Sequence, residues 1–317
     1  MKIKDMVRFE QFVGRSKSMQ NIYKQIRQAA ATDIPVLLLG ETGTGKDLAA
    51  QAIHRLSKRK HHPYLPINLG ALPSELVASE LFGHEKGAFT GAVKQQIGIF
   101  EKGSDGTVFL DEIDSIEEKV QISLLRLIEQ NKFSRLGGLT SIKSNARLIT
   151  ASNTDLKQVV QNGTFREDLY FRLDVFTIKI PPLNQRYSDI PLLVAEFIRR
   201  FNQSFNKHIL KISPECTRLF EEYSWPGNVR ELKNVIQRAI LVCENAEIQT
   251  KDLPARFHKY TSSKPTITFK LGTTLEDMER KMIEHALSYC NNNRTEAAKL
   301  LGISRRAIYN KLNKYHL

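Results

Sequence analysis

The stretch "VLLLGETGTGKD", residues 36–47, decides how the rest of the chain reads. Its apolar opening reads as a buried strand, and Gly40, Gly43 and Gly45 turn the residues after it into a loop. Helical periodicity starts at Lys46 and continues through "KDLAAQAIHRL". Strand, Gly-rich loop and helix start, in that order, make a phosphate cradle. Glycine lets backbone N–H groups turn inward around phosphate oxygens, the helix N-terminus adds partial positive charge, and Lys46 reaches the outer phosphates. Gly40, Glu41, Thr42, Gly43, Thr44, Gly45, Lys46 and Asp47 are therefore the candidate nucleotide-binding residues. The usual pattern puts a Ser or Thr hydroxyl after the Lys to hold magnesium. Asp47 stands there instead, so the metal must be held partly by other groups.

A second motif completes the first. In "VFLDEI", residues 108–113, an apolar strand delivers two carboxylates at its C-terminal end. Asp111 is placed to bind Mg2+, directly or through water, and Glu112 to polarise an attacking water. Acidic residues at a strand end are also simple turn formers; beside a phosphate loop the pair argues for hydrolysis rather than binding alone.

Outward from these motifs, short apolar runs alternate with amphipathic patterns over residues 12–182. "PVLLLG", "TVFLDE" and "ARLITAS" read as strands, and "KVQISLLRLIEQ" as a helix. Alternating strands and helices predict an α/β fold, a parallel sheet flanked by helices. After Pro181 and Pro182 the pattern is helical, and "DIPLLVAEFIRRFNQSF" and "GNVRELKNVIQRAILV" predict a smaller helical subdomain over 183–254. Residues 1–11 read as an N-terminal linker, and residues 255–272, rich in Ser, Thr, Lys and Pro, as a second one. An all-α unit is expected over 273–317.

That last unit carries concentrated charge. The whole chain of 317 residues has a net charge of +13, which favours a polyanionic partner. Residues 291–317 hold Arg294, Lys299, Arg305, Arg306, Lys311 and Lys314 against one acid, Glu296. A short helix over 295–301, a turn at Gly302 and an N-cap at Ser304 predict a helix-turn-helix. Ala298, Leu301, Ile303, Ile308 and Leu312 would form its core. Arg305, Arg306, Tyr309, Asn310 and Asn313 would then face outward, suited to base edges of double-stranded DNA, with lysines on phosphates. Thr274, with Asp277 three residues on, caps the preceding helix. That helix places Leu275, Met278, Met282, Ala286 and Leu287 on one side, suited to pairing of two such units. Cys216, Cys243 and Cys290 are widely spaced and odd in number, which excludes a disulfide framework or zinc spacing. No apolar run approaches membrane-spanning length.

One segment fits neither period. "GHEKGAFTGAVKQ", residues 83–95, is a glycine loop with an aromatic, Phe89, at its tip. On composition alone Phe89 would fold back on its own domain. However, GETGTGKD, GAFTGA, FLDEI, FREDLYFRL and WPGNVREL occur here in the order found in sigma-54-dependent transcriptional activators of the nitrogen-regulator type. The chain resembles that family over residues 12–254 as an AAA+ domain with a lid, and beyond as a Fis-type DNA-binding domain. GAFTGA is close to private to the family.

The resemblance implies a bacterial, cytoplasmic ATPase using ATP and Mg2+, in which dimers assemble to a hexameric ring. Its partners would be upstream DNA, the sigma-54 factor and RNA polymerase. Asn68 matches the switch asparagine that restrains the catalytic Glu, and Asn153 the sensor of the terminal phosphate. Arg166 and Arg172 match arginine fingers that enter the neighbouring subunit's site, and Arg230 matches the second sensor on the lid. For Arg166 and Arg172, salt bridges to Glu167, Asp168 or Asp174 remain the alternative. The loop Gly87, Ala88, Phe89, Thr90, Gly91 and Ala92 is expected to touch sigma-54. Three departures bear on fine coupling: Leu69 replaces the usual Cys after the switch Asn, "PPLNQR" a more charged segment, and Asp105 a Gly. Relatives often begin with a receiver or ligand-sensing domain; about ten residues precede the AAA+ unit here, so the chain is either of the subgroup without one or a fragment.

Overall fold

The computed structural model describes residues 8–257, 269, 271–290 and 292–315. Most of both expected linkers, and the ends of the basic segment at Asn291 and Leu317, lie outside the described residues. The chain divides into two units, Met1–His258 and Lys259–Leu317.

The first unit is built on five parallel strands: β1 Val36–Leu39, β2 Tyr64–Asn68, β3 Thr107–Asp111, β4 Arg147–Ser152 and β5 Thr177–Lys179. Their order is β5-β1-β4-β3-β2. The central strands are apolar runs because both faces are covered. Side chains alternate between two cores: Leu37, Val108, Leu110 and Leu148 enter one, and Val36, Leu38, Phe109, Ile149 and Ala151 the other. The sequence patterns marked β1, β3 and β4. They missed the two edge strands, whose half-covered runs carry weaker signals. Pro66, which cannot donate to a ladder, sits on the edge strand β2, where that loss is tolerated.

Register puts the chemistry at one edge. Asn68 pairs with Asp111, while Ser152 and Lys179 both lie opposite Leu39. The phosphate loop, Asn68, the Asp111–Glu112 pair and Asn153 thus emerge at the C-terminal ends of neighbouring strands, where open α/β sheets bind ligands.

The helical subdomain packs Ile190–Phe205, Pro214–Glu222 and Asn228–Val242 around Phe197, Phe220, Trp225, Leu232, Ile236 and Phe257. Trp225 is enclosed and its indole N–H donates to the Phe220 carbonyl at 2.7 Å. Leu183 and Val13 belong to this cluster, so the N-terminal segment and the entry turn are parts of the lid's core.

The second unit consists of helices Leu275–Tyr289, Arg294–Leu300 and Arg305–Tyr315. Thr274 accepts from the Asp277 N–H at 3.1 Å, and Ser304 Oγ from the Ala307 N–H at 3.2 Å, as the capping patterns predict. Ala298, Ile308 and Leu312 are buried, with Leu301 and Ile303 packed on them; Ala297, Ile283 and Ala286 complete the core. The expected apolar stripe splits: Ala286 and Leu287 turn inward, whereas Leu275 and Met282 are exposed. No helix of the described residues is long and apolar enough to cross a membrane.

Candidate functional site

The phosphate loop is shaped by its own backbone and by the lid. Thr44 is buried and its hydroxyl donates to the Glu41 carbonyl at 2.7 Å, tightening the turn. Lys46 Nζ donates to the Gly40 carbonyl at 2.7 Å. Gly43 has φ +80°, and a β-carbon there would meet the Gly227 carbonyl oxygen at 2.4 Å. Only glycine fits, because the lid comes so close. The contact is made by the first turn of helix Asn228–Val242: Val229 and Arg230 N–H donate to the Gly43 carbonyl at 3.0 and 3.3 Å. This places Arg230 beside the loop. Asn228 is fully buried; its amide donates to Glu41 Oε2 at 2.9 Å and the Thr42 carbonyl at 3.2 Å, and accepts from the Leu183 N–H at 2.7 Å.

Electrostatics ties the loop to the acidic strand end. Burial pushes the Lys46 ammonium below its ordinary pKa, and the facing Asp111 and Glu112 carboxylates oppose that shift. Burial pushes the Asp111 carboxyl up, against the pull of Lys46. Among the described residues no group of three or more side chains forms a ready-made metal cage. A hard oxygen donor such as Asp111, close to where phosphates would lie, suits Mg2+, which is commonly held by one or two carboxylates, water and substrate phosphates. Asp47 is exposed at the first turn of its helix.

Glu112 is held in a conformation unusual for its type. It has φ 57° and ψ 49°, the left-handed region, which costs roughly 1–3 kcal/mol for a residue with a side chain. Its carboxylate accepts from Asn68 Nδ2 at 3.3 Å. It also lies over Gly70, where a β-carbon would fall 2.0 Å from Oε2. The other end of the Asn68 amide accepts from the Ala71 N–H at 2.9 Å. Asn153 is exposed just beyond β4, at the same edge.

The structure does not bring Arg166 and Arg172 into this cluster. Arg166 pairs with Asp168 at 2.7 Å and Glu118 at 3.4 Å, and Arg172 with Glu129 at 2.9 Å. Of the acids named as alternatives, Asp168 is the one used. The Arg166 backbone is fixed from below by buried Gln121, whose amide accepts from Arg166 N–H at 2.8 Å and donates to the Ile116 and Thr164 carbonyls.

The loop over residues 87–92 rises from a two-stranded hairpin, Gly83–His84 with Gln96–Ile97. Gly87 N–H donates to the Ala92 carbonyl at 2.8 Å, closing its neck. Ala92 is buried at that neck and so lies off the exposed tip formed by Phe89, Thr90 and Gly91, and Ala88 is half-buried. Phe89 is 39 % exposed and rests by its edge on the His84 ring, centroids 4.9 Å apart. It is thus docked on its own hairpin but not buried in its domain. Arg135 clamps the neck, bonding Glu85 at 2.8 Å and Glu101 at 2.7 Å, and its guanidinium holds the Glu85 carboxyl below its ordinary pKa. Neither Arg135, Gly70 nor Asn228 stands out in the sequence; Asn228 lies within WPGNVREL, two positions before the arginine that does.

In the second unit Arg294, Ser304, Arg305, Arg306, Tyr309, Asn310 and Asn313 are exposed, and the Arg294 guanidinium lies over the Tyr309 ring at 5.2 Å. Two candidate phosphate contacts are engaged internally: Lys311 with Glu279, and Lys314 with Glu276 at 2.8 Å. Exposed pairs of this kind are weak and exchange readily for other anions.

Residues 12–179 match the sigma-54 interaction domain family, residues 184–268 the AAA+ ATPase lid domain, and residues 274–315 the Fis family of bacterial regulatory proteins. Regulatory protein AtoC of Escherichia coli is 41 % identical over 95 % of this chain and 66 % of its own length. Nitrogen fixation protein AnfA of Azotobacter vinelandii is 39 % identical over 99 % of this chain and 59 % of its own. The crystal structure of NtrX from Brucella abortus in complex with ADP superposes with a TM-score of 0.74 at 29 % identity, covering 97 % of this chain and 70 % of that one. The fold and site are those of an AAA+ ATPase with a helix-turn-helix unit. The chain belongs to the sigma-54-dependent transcriptional activators. It spans about three-fifths to two-thirds of the length of AnfA and AtoC.

Gly70→Ala is expected to keep nucleotide affinity and melting temperature near the parent's while cutting ATP turnover at least tenfold, because the added methyl displaces the Glu112 carboxylate. Parent-like turnover in a folded variant would show that Glu112 tolerates displacement and is not the group that matters. For the DNA face, Arg306→Ala and Asn310→Ala should each cost about 1–3 kcal/mol on a cognate site and less on random DNA. Equal losses on both, measured at one salt concentration, would reduce them to phosphate contacts.

Proposed function

We propose that this chain, held in the cytoplasm at an upstream DNA site by its helix-turn-helix, hydrolyses ATP in a ring of its own copies. The energy released remodels the closed complex of sigma-54 RNA polymerase through the loop at Phe89 and Thr90. One observation carries the reading. Asn68 is bonded at one end of its amide to Glu112 and at the other to Ala71, just before helix Ser74–Phe82, whose far end runs straight into the hairpin of the loop. A change at the terminal phosphate that moves Glu112 therefore pulls on the root of the element that carries Phe89.

In this reading Lys46 and the loop N–H groups bind the phosphates, and Asp111 holds Mg2+, which supplies charge neutralisation on the phosphate oxygens. Glu112 leaves Asn68 to orient the attacking water. Asn153 and Arg230 report the nucleotide state from the sheet edge and the lid. Arg166 and Arg172 exchange their weak surface partners for the phosphates of the next subunit, where such arginines are worth about 10³–10⁵ in rate. The exposed Leu275 and Met282 suit pairing of two helix-turn-helix units, which would bind a near-palindromic site.

Transcription from a supercoiled template, comparing sigma-54 with housekeeping polymerase with and without ATP, tests the whole reading. Open complexes are expected only with sigma-54 polymerase and hydrolysable ATP; activation of the housekeeping enzyme without ATP would overturn it. Phe89→Ala should retain ATPase within a few-fold, assembly and DNA binding, yet lose sigma-54 capture with a transition-state analogue. A large fall in melting temperature with lost ATPase, and no selective sigma defect, would make Phe89 a packing residue instead.

Subunit sharing has its own check. Mixing inactive Arg172→Ala with inactive Glu112→Gln should restore part of the turnover, since some interfaces then combine two intact halves. Confirmed mixed rings that stay inactive at every ratio would place the arginines within their own subunit's site.

A further inference from the structure

Arg186 lies in the turn between the sheet and the lid, far in sequence from the phosphate loop, and it is 3 % exposed. Its Nη2 donates to the Thr44 carbonyl at 3.1 Å, and its Nη1 lies 2.9 Å from Met19 Sδ. Burial lowers its pKa, and the neighbouring Asp189 opposes that shift. Asp189, fully buried, accepts from Arg15 N–H, Ser16 N–H and Ser16 Oγ at 2.7–2.8 Å. A buried cation has thus been brought against one backbone carbonyl of the nucleotide loop, near a buried anion that is itself triply bonded.

The Thr44 carbonyl and the Gly45 N–H belong to one peptide unit. There are no cis bonds in the described residues, and in a trans peptide the two groups point in opposite directions. Gly45 has φ +106°, so the peptide before it lacks the steric preference a side chain would impose. The Gly45 N–H has no acceptor among the described residues. We propose that Arg186 is a positioning residue for the nucleotide: by gripping the Thr44 carbonyl from behind, it aims the Gly45 N–H at a phosphate oxygen. Because Arg186 is also part of the turn from which the lid hangs, lid rotation and the aim of this N–H are one movement. The proposal rests on the reading of residues 40–47 as the nucleotide site.

The test compares ligands with and without phosphates. Arg186→Gln should raise the ADP dissociation constant and the ATP KM about tenfold, the scale of one charge-assisted hydrogen bond, with kcat within about threefold. Adenosine affinity, measured by competition, should stay at the parent value. Arg186→Lys, which keeps a charged donor, should recover most of the loss. Unchanged ADP affinity in the folded variant, or equal losses for ADP and adenosine, would overturn the proposal. Should Arg186→Gln fail to fold, amide exchange in the parent decides: ADP, but not adenosine, must protect the Gly45 N–H, and absence of that protection overturns it equally. Lys46→Ala serves as the control, since retained ADP binding there would refute the nucleotide-site reading and not the role of Arg186.

Discussion

Much of the first unit turns on one enclosed amide. Asn228 is buried with φ 51°, and its side chain joins the Glu41 carboxylate, the Thr42 carbonyl and the Leu183 N–H. A buried amide left unpaired costs about 1–3 kcal/mol per group, so the three bonds must form together or the lid cannot close as it does. Their partners belong to the phosphate loop and to the lid's entry turn. The clasp explains why the loop tolerates no side chain at Gly43 and why the helix bearing Arg230 begins where it does. A lid held this way can answer to what the loop holds, because any ligand that shifts Glu41 or Thr42 strains bonds the lid needs.

The acidic edge is built on the opposite principle. There the contacts are few and the strain is local. Glu112 stands in the left-handed region, its carboxylate accepts from an exposed Asn68 amide at 3.3 Å, and Gly70 lies beneath it. Backbone strain of roughly 1–3 kcal/mol is comparable with such a hydrogen bond, so neither arrangement of the carboxylate is strongly preferred. The partner exchange proposed for Glu112 needs a group poised in this way, whereas a loop that holds nucleotide does not.

These two styles explain what could be read in the sequence. The loop and the acidic strand end were legible because glycines, Lys46 and the Asp111–Glu112 pair lie within continuous runs whose order alone implies the chemistry. β1, β3 and β4 were legible because both faces are buried. β2 and β5 were not, since an edge strand keeps one side open and its pattern fades. The long-range partners were invisible for a different reason. Asn228 meets Glu41 across 187 positions and Arg186 meets Thr44 across 142, and no periodicity records such a contact. Gly70 looks like an ordinary turn residue until the Glu112 carboxylate is seen above it. In the second unit the capping residues and core were legible from local pattern. The inward turn of Ala286 and the pairing of Lys311 with Glu279 came from tertiary packing.

The surface pairs carry the last step. Arg166 and Arg172 are fixed at their backbones, by buried Gln121 and by helix Glu167–Leu173, while their guanidinium groups rest on exposed carboxylates. Exposed ion pairs gain little over water and are screened by salt. In the ring proposed above, a triphosphate in a water-poor interface would offer more charge at lower dielectric, and the exchange would then run toward the neighbour. A firm backbone and a weakly held head group are what the proposed role requires: an arginine idle in a lone subunit and available in an assembled one. Under that proposal, activity would depend on assembly through the arginines themselves.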